Sequence, residues 1–532
     1  MVRPGEVRYN RAHRHRWREV RVRVARLCKT AVCLVAAILL LTPAAFSAPG
    51  DRPGNPNSPA PDAKPSPAPP APEHVETHHT IQLGQRKLDY RAIAETIALS
   101  DAKGTETASI FTISYLADPG VGQTRPVAFL FNGGPGAAAV FLHLGAAGPR
   151  IMEPNADGTV PNPPVRLIDN PSTWLDFTDL VFVDPVGTGF SRGEGKDDNP
   201  NKPFWNVHSD VESLDSVVRL WLTKHQRWGD PVYLVGESYG GFRVGAMAKS
   251  LARDEGIVAS GIVMISPALD MMIVNADVTA LPIASFGLPS FAATAAALSG
   301  NSAFDPAPVE QFALSDYLAG LAGMKGVPLS GDPFIAKIAA MIGLPVDIVR
   351  RERGWVSNST FAHELRRDQS QVLSLYDATV TRPSPANPWD PIAGDPILDN
   401  SIAAFTAAFN AYAPEKLGYH SDLQYRTLPL NINRQWNFDG MRDGEDGLGL
   451  SLSGLQTTLL DYPNTKVLIA NGRYDLVTPY LSSRWLVDQL AIPQAVRDAI
   501  RLKVYDGGHM MYLRAQSRAA LAADVAALFA AH

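Results

Sequence analysis

The stretch Val232-Tyr233-Leu234-Val235-Gly236-Glu237-Ser238-Tyr239-Gly240-Gly241 decides how the chain is read. Four apolar residues make a short strand that runs directly into Gly-x-Ser-x-Gly, and residues 241–254 then read as a helix. A serine in such a strand–turn–helix elbow is lifted above the end of its strand. Glycines on either side let the backbone turn without clashes. The helix that follows turns its first N–H groups toward any negative charge developing on a bound carbonyl. Ser238 is therefore the expected nucleophile.

On both sides of this elbow, apolar runs alternate with helical patterns. Residues 79–118 read as antiparallel strands, 126–131 (PVAFLF) and 179–183 (DLVFV) as buried strands, and 261–265 as another. Val211, Leu214, Val217, Val218 and Trp221 repeat at helical spacing within 209–228. Strands alternating with helices predict a largely parallel sheet covered on both faces. The alternation lapses between roughly 270 and 461, a region rich in Ala, Leu and Pro with helical patterns at 334–342 and 401–412. It resumes with KVLIA (466–470), a helix over 481–490, a strand over 502–505 and a helix over 517–531. An insertion between sheet strands is expected to form a helical cap at the carboxyl ends of the strands, where open α/β sheets bind ligands.

Composition narrows the function. An apolar fraction of 45% and a charged fraction of 19% are those of a globular protein. Residues 1–29 are Arg-rich and 30–48 apolar with small residues at the end, which reads as a signal peptide or an N-terminal anchor. Residues 49–75 are Pro-rich with no aromatic residue, as in a disordered tether. Only Cys28 and Cys33 are present, both within the N-terminal segment, so the body has no thiol for a disulfide or a metal. No metal or organic cofactor is expected. The net charge is −5, and near −13 without the 10 basic and 2 acidic residues of positions 1–48. An acidic body without a basic run speaks against nucleic acid and against anionic membrane surfaces, leaving the N-terminal segment as the sole expected membrane tether.

A serine hydroxyl needs a base, and the base needs an orienting carboxylate. Asp475 follows the strand KVLIA in NGRYDLVTP, and His509 follows the strand LKVY in DGGHMM. The order Ser238, Asp475, His509, each past a strand end, is that of α/β-hydrolases. Asp506 is the rival to Asp475. The oxyanion donors are expected at the Tyr239 N–H and in the glycine turn Gly133-Gly134 that follows strand 126–131.

With these residues in view, the chain resembles the serine carboxypeptidase family of α/β-hydrolases. The blocks that carry the resemblance are FNGGPGAAA (131–139), DLVFVDPVGTGFS (179–191), VYLVGESYGG (232–241), NGRYDLVTP (471–479) and DGGHMM (506–511). The resemblance implies Ser238 as nucleophile, His509 as base, Asp475 as orienter, and Gly134 with Tyr239 as oxyanion donors. It further implies that Asn132, Gly133 and Glu237 hold the C-terminal carboxylate of a peptide. The expected organisation is an α/β-hydrolase domain in two parts, 76–270 and 462–532, with a mainly helical cap at 271–461 between them. The expected activity is removal of C-terminal residues from peptides through an acyl-enzyme, by an exported, periplasmic or secreted enzyme.

Glu237 can attract a carboxylate only when protonated, so this role predicts activity favoured in acid. The chain departs from the family pattern at Ala146, where members carry a second glutamate, at Leu130 in place of Trp, and at Ala137 in place of Cys. Without a like-charged neighbour at 146, protonation of Glu237 near neutral pH is expected to be less favoured. Arg150 and His143 are the candidates to compensate. The alternatives are a proline-type or other serine aminopeptidase, an esterase or acyltransferase, and a non-catalytic binding protein. Asn132 and the DPVGTGFS block favour the carboxypeptidase. Side-chain preference and oligomeric state are not encoded in these motifs.

Overall fold

The computed structural model of the chain describes residues 73–117, 124–155, 157–274, 281–323, 333–385, 394–438, 441–442, 445–446 and 449–530. The expected signal segment and most of the tether lie outside the described residues. Strand β1 begins at His74, so the last residues assigned to the tether are already sheet.

Nine strands follow one another across the sheet. They are β1 (His74–Leu83), β2 (Arg86–Ser100), β3 (Glu106–Ala117), β4 (Val127–Phe131), β5 (Asp179–Val183), β6 (Val232–Glu237), β7 (Ala259–Ile265), β8 (Lys466–Gly472) and β9 (Ile500–Tyr505). Their order in space is β1-β2-β3-β5-β4-β6-β7-β8-β9, with the short strand Arg192–Gly193 beside β3. The pairs from β1 to β5 are antiparallel, and every pair from β5 to β9 is parallel. The mixed, mostly parallel sheet of an α/β-hydrolase is the one expected. Its register carries Phe131 opposite Gly236, Glu237 opposite Ile265, and Gly472 opposite Tyr505. The five strand ends bearing the sequence motifs, those of β4, β5, β6, β8 and β9, therefore finish along one edge.

The central strands read as continuous apolar runs because both faces are covered. Val127, Phe129 and Phe131 enter one core; Ala128 and Leu130 enter the other. Helix α1 (Val207–Lys224) starts where the Asn206 side chain accepts the Ser209 N–H, and its apolar stripe turns Leu214, Val218 and Trp221 onto the sheet. The Trp221 ring meets Phe129 edge-on, and its Nε1 donates to Ser114 Oγ at 2.9 Å, so the one polar atom is satisfied. Burying a side chain of this kind contributes about 2–3 kcal/mol. Helix α2 (Tyr239–Ser250) follows the elbow and is buried along most of its length.

The insertion is mainly helical and divides in two. Helix α3 (Leu281–Leu298), helix α4 (Pro333–Ile342) and neighbouring short helices close a core of their own around Phe286, Phe291, Phe312, Ile338 and Phe361. That core also takes in Tyr474, Leu476, Tyr480 and Leu481 from beyond β8. Helix α5 (Pro396–Lys416), by contrast, sends Phe405, Phe409 and Tyr412 into a core of the sheet. After α6 (Leu430–Gln435), helix α7 (Leu450–Asp461) lies directly on α2, with Gly454 against the Gly245 backbone and Leu455 and Leu459 in the other sheet core. Two short hairpins, Gln371–Leu373 with Thr381–Pro383 and Met441–Arg442 with Glu445–Asp446, have no alternating apolar run to announce them. Helices α8 (Tyr480–Gln489) and α9 (Ala515–Phe529) complete the layers.

Candidate active site

The elbow is built as the glycines foretold. Ser238 has φ 60° and ψ −124°, a conformation costly for any residue with a Cβ and held only when its surroundings over-determine it. Here its N–H donates to Ile265 O at 2.9 Å, and its carbonyl accepts from Gly241 N at 2.9 Å and Ala268 N at 3.1 Å. Gly236 and Gly240 are required by space, since a Cβ on the first would strike Gly240 O and one on the second Phe131 O. Ser238 itself is half-buried between buried Glu237 and Tyr239.

Asp475 and His509 meet across the ends of β8 and β9. His509 Nδ1 lies 2.8 Å from Asp475 Oδ2, with both side chains buried. Oδ1 of Asp475 accepts the N–H groups of Val477 (2.8 Å) and Thr478 (3.0 Å), and Oδ2 also accepts the Thr478 hydroxyl at 2.7 Å. The carboxylate is thus fixed in orientation. Burial disfavours the His509 imidazolium, but the Asp475 charge and hydrogen bond, with the Glu237 and Asp395 charges, together outweigh it and raise the pKa above the ordinary value. Asp506 does not reach His509; it pairs with Arg514 at 2.7 Å. The histidine turn is tied to the loop after β7, which also holds Ser238, through Ser266, whose Oγ donates to His509 O at 2.8 Å. Thr478→Val, which removes one donor to the carboxylate, is expected to lower kcat about tenfold with little change in KM, checked by steady-state kinetics on a peptide substrate.

The glycine turn after β4 packs on the elbow. A Cβ on Gly133 would lie 2.5 Å from Tyr239 N, so this backbone reaches the first turn of α2 only as glycine. Tyr239 is the first residue of α2, whose leading amides have no carbonyl partner within the helix. Gly134 is exposed with φ 100°, and its carbonyl accepts Asn433 Nδ2 from α6 at 2.9 Å.

Beside the elbow sits a second polar group. Asn132 Nδ2 donates to Glu237 Oε2, while Asn132 Oδ1 accepts Leu142 N at 3.0 Å. The Asn132 carbonyl accepts Arg243 Nη1 at 2.5 Å. Arg243 is fully buried on α2 and pairs with Asp210 of α1 at 2.8 Å. Removing either partner would strand a buried charge, a loss of about 3–5 kcal/mol, so this pair fixes the Asn132 turn rigidly. Burial pushes the Glu237 carboxyl up to about 7, against His509 and the Tyr512 and Asn132 donors, which favour the ionised form.

A family model described as serine carboxypeptidase matches residues 104–267, which hold the glycine turn, the DPVGTGFS block and the elbow. Over this stretch the chain is similar to the serine carboxypeptidase family. Serine carboxypeptidase-like 5 of Arabidopsis thaliana is 30% identical over 131 residues, covering 24% of this chain and 28% of that protein. Pheromone-processing carboxypeptidase kex1 of Aspergillus fumigatus is 31% identical over 138 residues, 24% of this chain and 18% of its own. The chain thus matches less than a third of the length of these relatives. Among solved structures, the prohormone-processing carboxypeptidase Kex1 of Saccharomyces cerevisiae covers 83% of this chain and 91% of its own, at 14% identity and a TM-score of 0.51. That likeness is one of fold.

The structure corrects one expectation and adds to another. Neither Arg150 nor His143 approaches Glu237. Arg150 pairs with Asp169 at 2.9 Å, and His143 is buried among Tyr115, Phe182 and Tyr412, where burial alone holds its pKa at about 3. Ala146 brings no second charge to Glu237, but burial raises its pKa to about 7, so the carboxyl is about half protonated near neutrality. Sequence reasoning also missed Tyr512, whose hydroxyl donates to both Glu237 oxygens at 2.9 Å, and Thr478 and Asn433. Thr478 lies within the quoted NGRYDLVTP block and was open to notice; Tyr512 is the residue just after DGGHMM.

Proposed function

We propose that the chain is a serine-type carboxypeptidase that removes C-terminal residues from peptides through an acyl-enzyme, losing activity as pH rises above neutral. The observation that carries this reading is a buried Glu237, hydrogen-bonded to Asn132, immediately beside a serine nucleophile in an elbow. Ser238 Oγ attacks the scissile carbonyl carbon while His509 takes the hydroxyl proton through Nε2, and Asp475 stabilises the imidazolium through Nδ1. The N–H groups of Gly134 and Tyr239 donate to the oxyanion. Collapse expels the C-terminal residue as its amine, protonated by His509. Water, deprotonated by the same imidazole, then releases the acyl group. Protonated Glu237 and Asn132 donate to the substrate carboxylate, with the Gly133 backbone beside them, and so set the reaction one residue from the end.

The Arg-rich and apolar character of residues 1–48 supports export, to the periplasm or beyond, with peptide and protein C-termini as substrates. The test is mass spectrometry of a decapeptide incubated with the protein, beside the same peptide amidated at its C-terminus. A ladder shortened from the C-terminus, faster at pH 7 than at pH 9 and absent for the amide, is the expected result. Shortening from the N-terminus would overturn the reading in favour of an aminopeptidase. Intact peptide alongside ester hydrolysis would do so in favour of an esterase.

A further inference from the structure

The position of the family's second glutamate is Ala146, and the Tyr512 ring packs against its neighbour Gly145. Gly145, Ala146 and Ala147 are fully buried and lack bulk. The Tyr512 ring comes in from the turn 511–513 and packs so closely that a Cβ on Gly145 would lie 2.9 Å from Tyr512 Cε2 and 3.1 Å from Phe405 Cζ. The ring is fully buried, and its hydroxyl lies 2.9 Å from each Glu237 oxygen. We propose that Tyr512 is a further residue of the carboxylate-recognition site, holding Glu237 through its phenol in a chain whose position 146 carries no carboxyl group. This rests on the carboxypeptidase reading above.

The substitution of phenol for carboxyl has a definite consequence. Two carboxyl groups sharing a site repel when ionised and titrate as a coupled pair. A phenol stays neutral through the working range and donates its proton to the ionised carboxylate, favouring that form. The other groups facing Glu237 are Asn132 from the glycine turn, His509 from the β9 loop, Asp475 from the β8 loop, and Tyr376 from the insertion. Among the described residues of the turn 143–147, His143 is the one titratable group, and it is turned toward Tyr115 at 2.6 Å. Tyr512 is thus the hydroxyl donor that, against burial, eases loss of the Glu237 proton. Tyr512→Phe keeps the ring and removes the donor, so Glu237 is expected to stay protonated to higher pH.

The experiment compares kcat/KM against pH for the full chain, Tyr512→Phe, Glu237→Gln and the double variant. Tyr512→Phe is expected to move the alkaline limb upward by about one pH unit or more, the size of a lost hydrogen bond to a charged group. The double variant is expected to show no shift relative to Glu237→Gln. An unmoved limb, or one displaced downward, overturns the proposal. Infrared titration of the protonated-carboxyl stretch absent in Glu237→Gln reads the same shift without substrate. Failure of all peptide cleavage with that infrared shift present would sink the functional reading and leave the Tyr512–Glu237 coupling standing; absence of the infrared shift would sink the coupling itself.

Discussion

Asp475→Asn is expected to lower kcat about 10⁴-fold, the size seen when a triad carboxylate becomes its amide. The hydrogen bonds around Asp475 say why. Oδ1 accepts two backbone N–H groups, from Val477 and Thr478, and only an oxygen can remain there. The amide introduced by the substitution must therefore place its NH₂ where Oδ2 now faces His509 Nδ1. A donor at that point forces Nδ1 to accept, which moves the imidazole proton to Nε2, the nitrogen that must take the proton of Ser238. KM should change little, because the substrate contacts are elsewhere. ¹⁵N NMR of His509 should show the altered tautomer. Asp506→Asn, which touches Arg514 and not His509, should remain close to wild type. A loss below about tenfold for Asp475→Asn, or a comparable loss for Asp506→Asn, would remove Asp475 from the orienting role.

The contrast between these two aspartates shows what the sequence could convey. The elbow, the glycine turn and the loops after KVLIA and LKVY are local patterns, each a strand ending in turn residues, and local patterns survive in one dimension. Asp475 and Asp506 both follow such strands, and only the register of β8 on β9, with Gly472 opposite Tyr505, decides which carboxylate faces the imidazole. Other supports have no local signature. The insertion sends residues 374–378 between the loops that carry Asp475 and His509: Tyr376 O accepts the His509 N–H at 2.5 Å, and Leu375 O accepts the Leu476 N–H at 3.0 Å. Arg514 ties Asp377 to Asp506 from beyond the histidine turn. A segment some hundred residues distant in sequence thus braces the Asp475–His509 pair, and nothing in its composition distinguishes it from the rest of the insertion. The same blindness affected Glu237. Counting charges along the chain, Ala146 argued for an ordinary carboxyl; burial, visible only in the fold, dominates its ionisation.

Glu237→Gln tests that dominance. In the wild type the carboxyl titrates near 7, so binding of a substrate carboxylate should weaken as pH rises past that point, and kcat/KM should fall about tenfold per unit. Glutamine is neutral throughout and still offers an N–H, so the alkaline limb should vanish and the variant should exceed the wild type by roughly tenfold or more at pH 9. The acid limb should move as well. The Glu237 charge helps to raise the pKa of His509, and its removal lets the imidazole become the neutral base at lower pH. Stability gives an independent reading of the same group. An acid whose folded pKa lies above its unfolded value carries no cost below the unfolded pKa and the full cost above the folded one. For a shift from 4.5 to about 7 that cost is on the order of 3 kcal/mol. The wild type should therefore lose Tm relative to Glu237→Gln between pH 4.5 and pH 7.5, and the difference should level off beyond. A variant that keeps the alkaline limb and shows no Tm divergence would assign the limb to another group, and with it the recognition of the substrate's terminus.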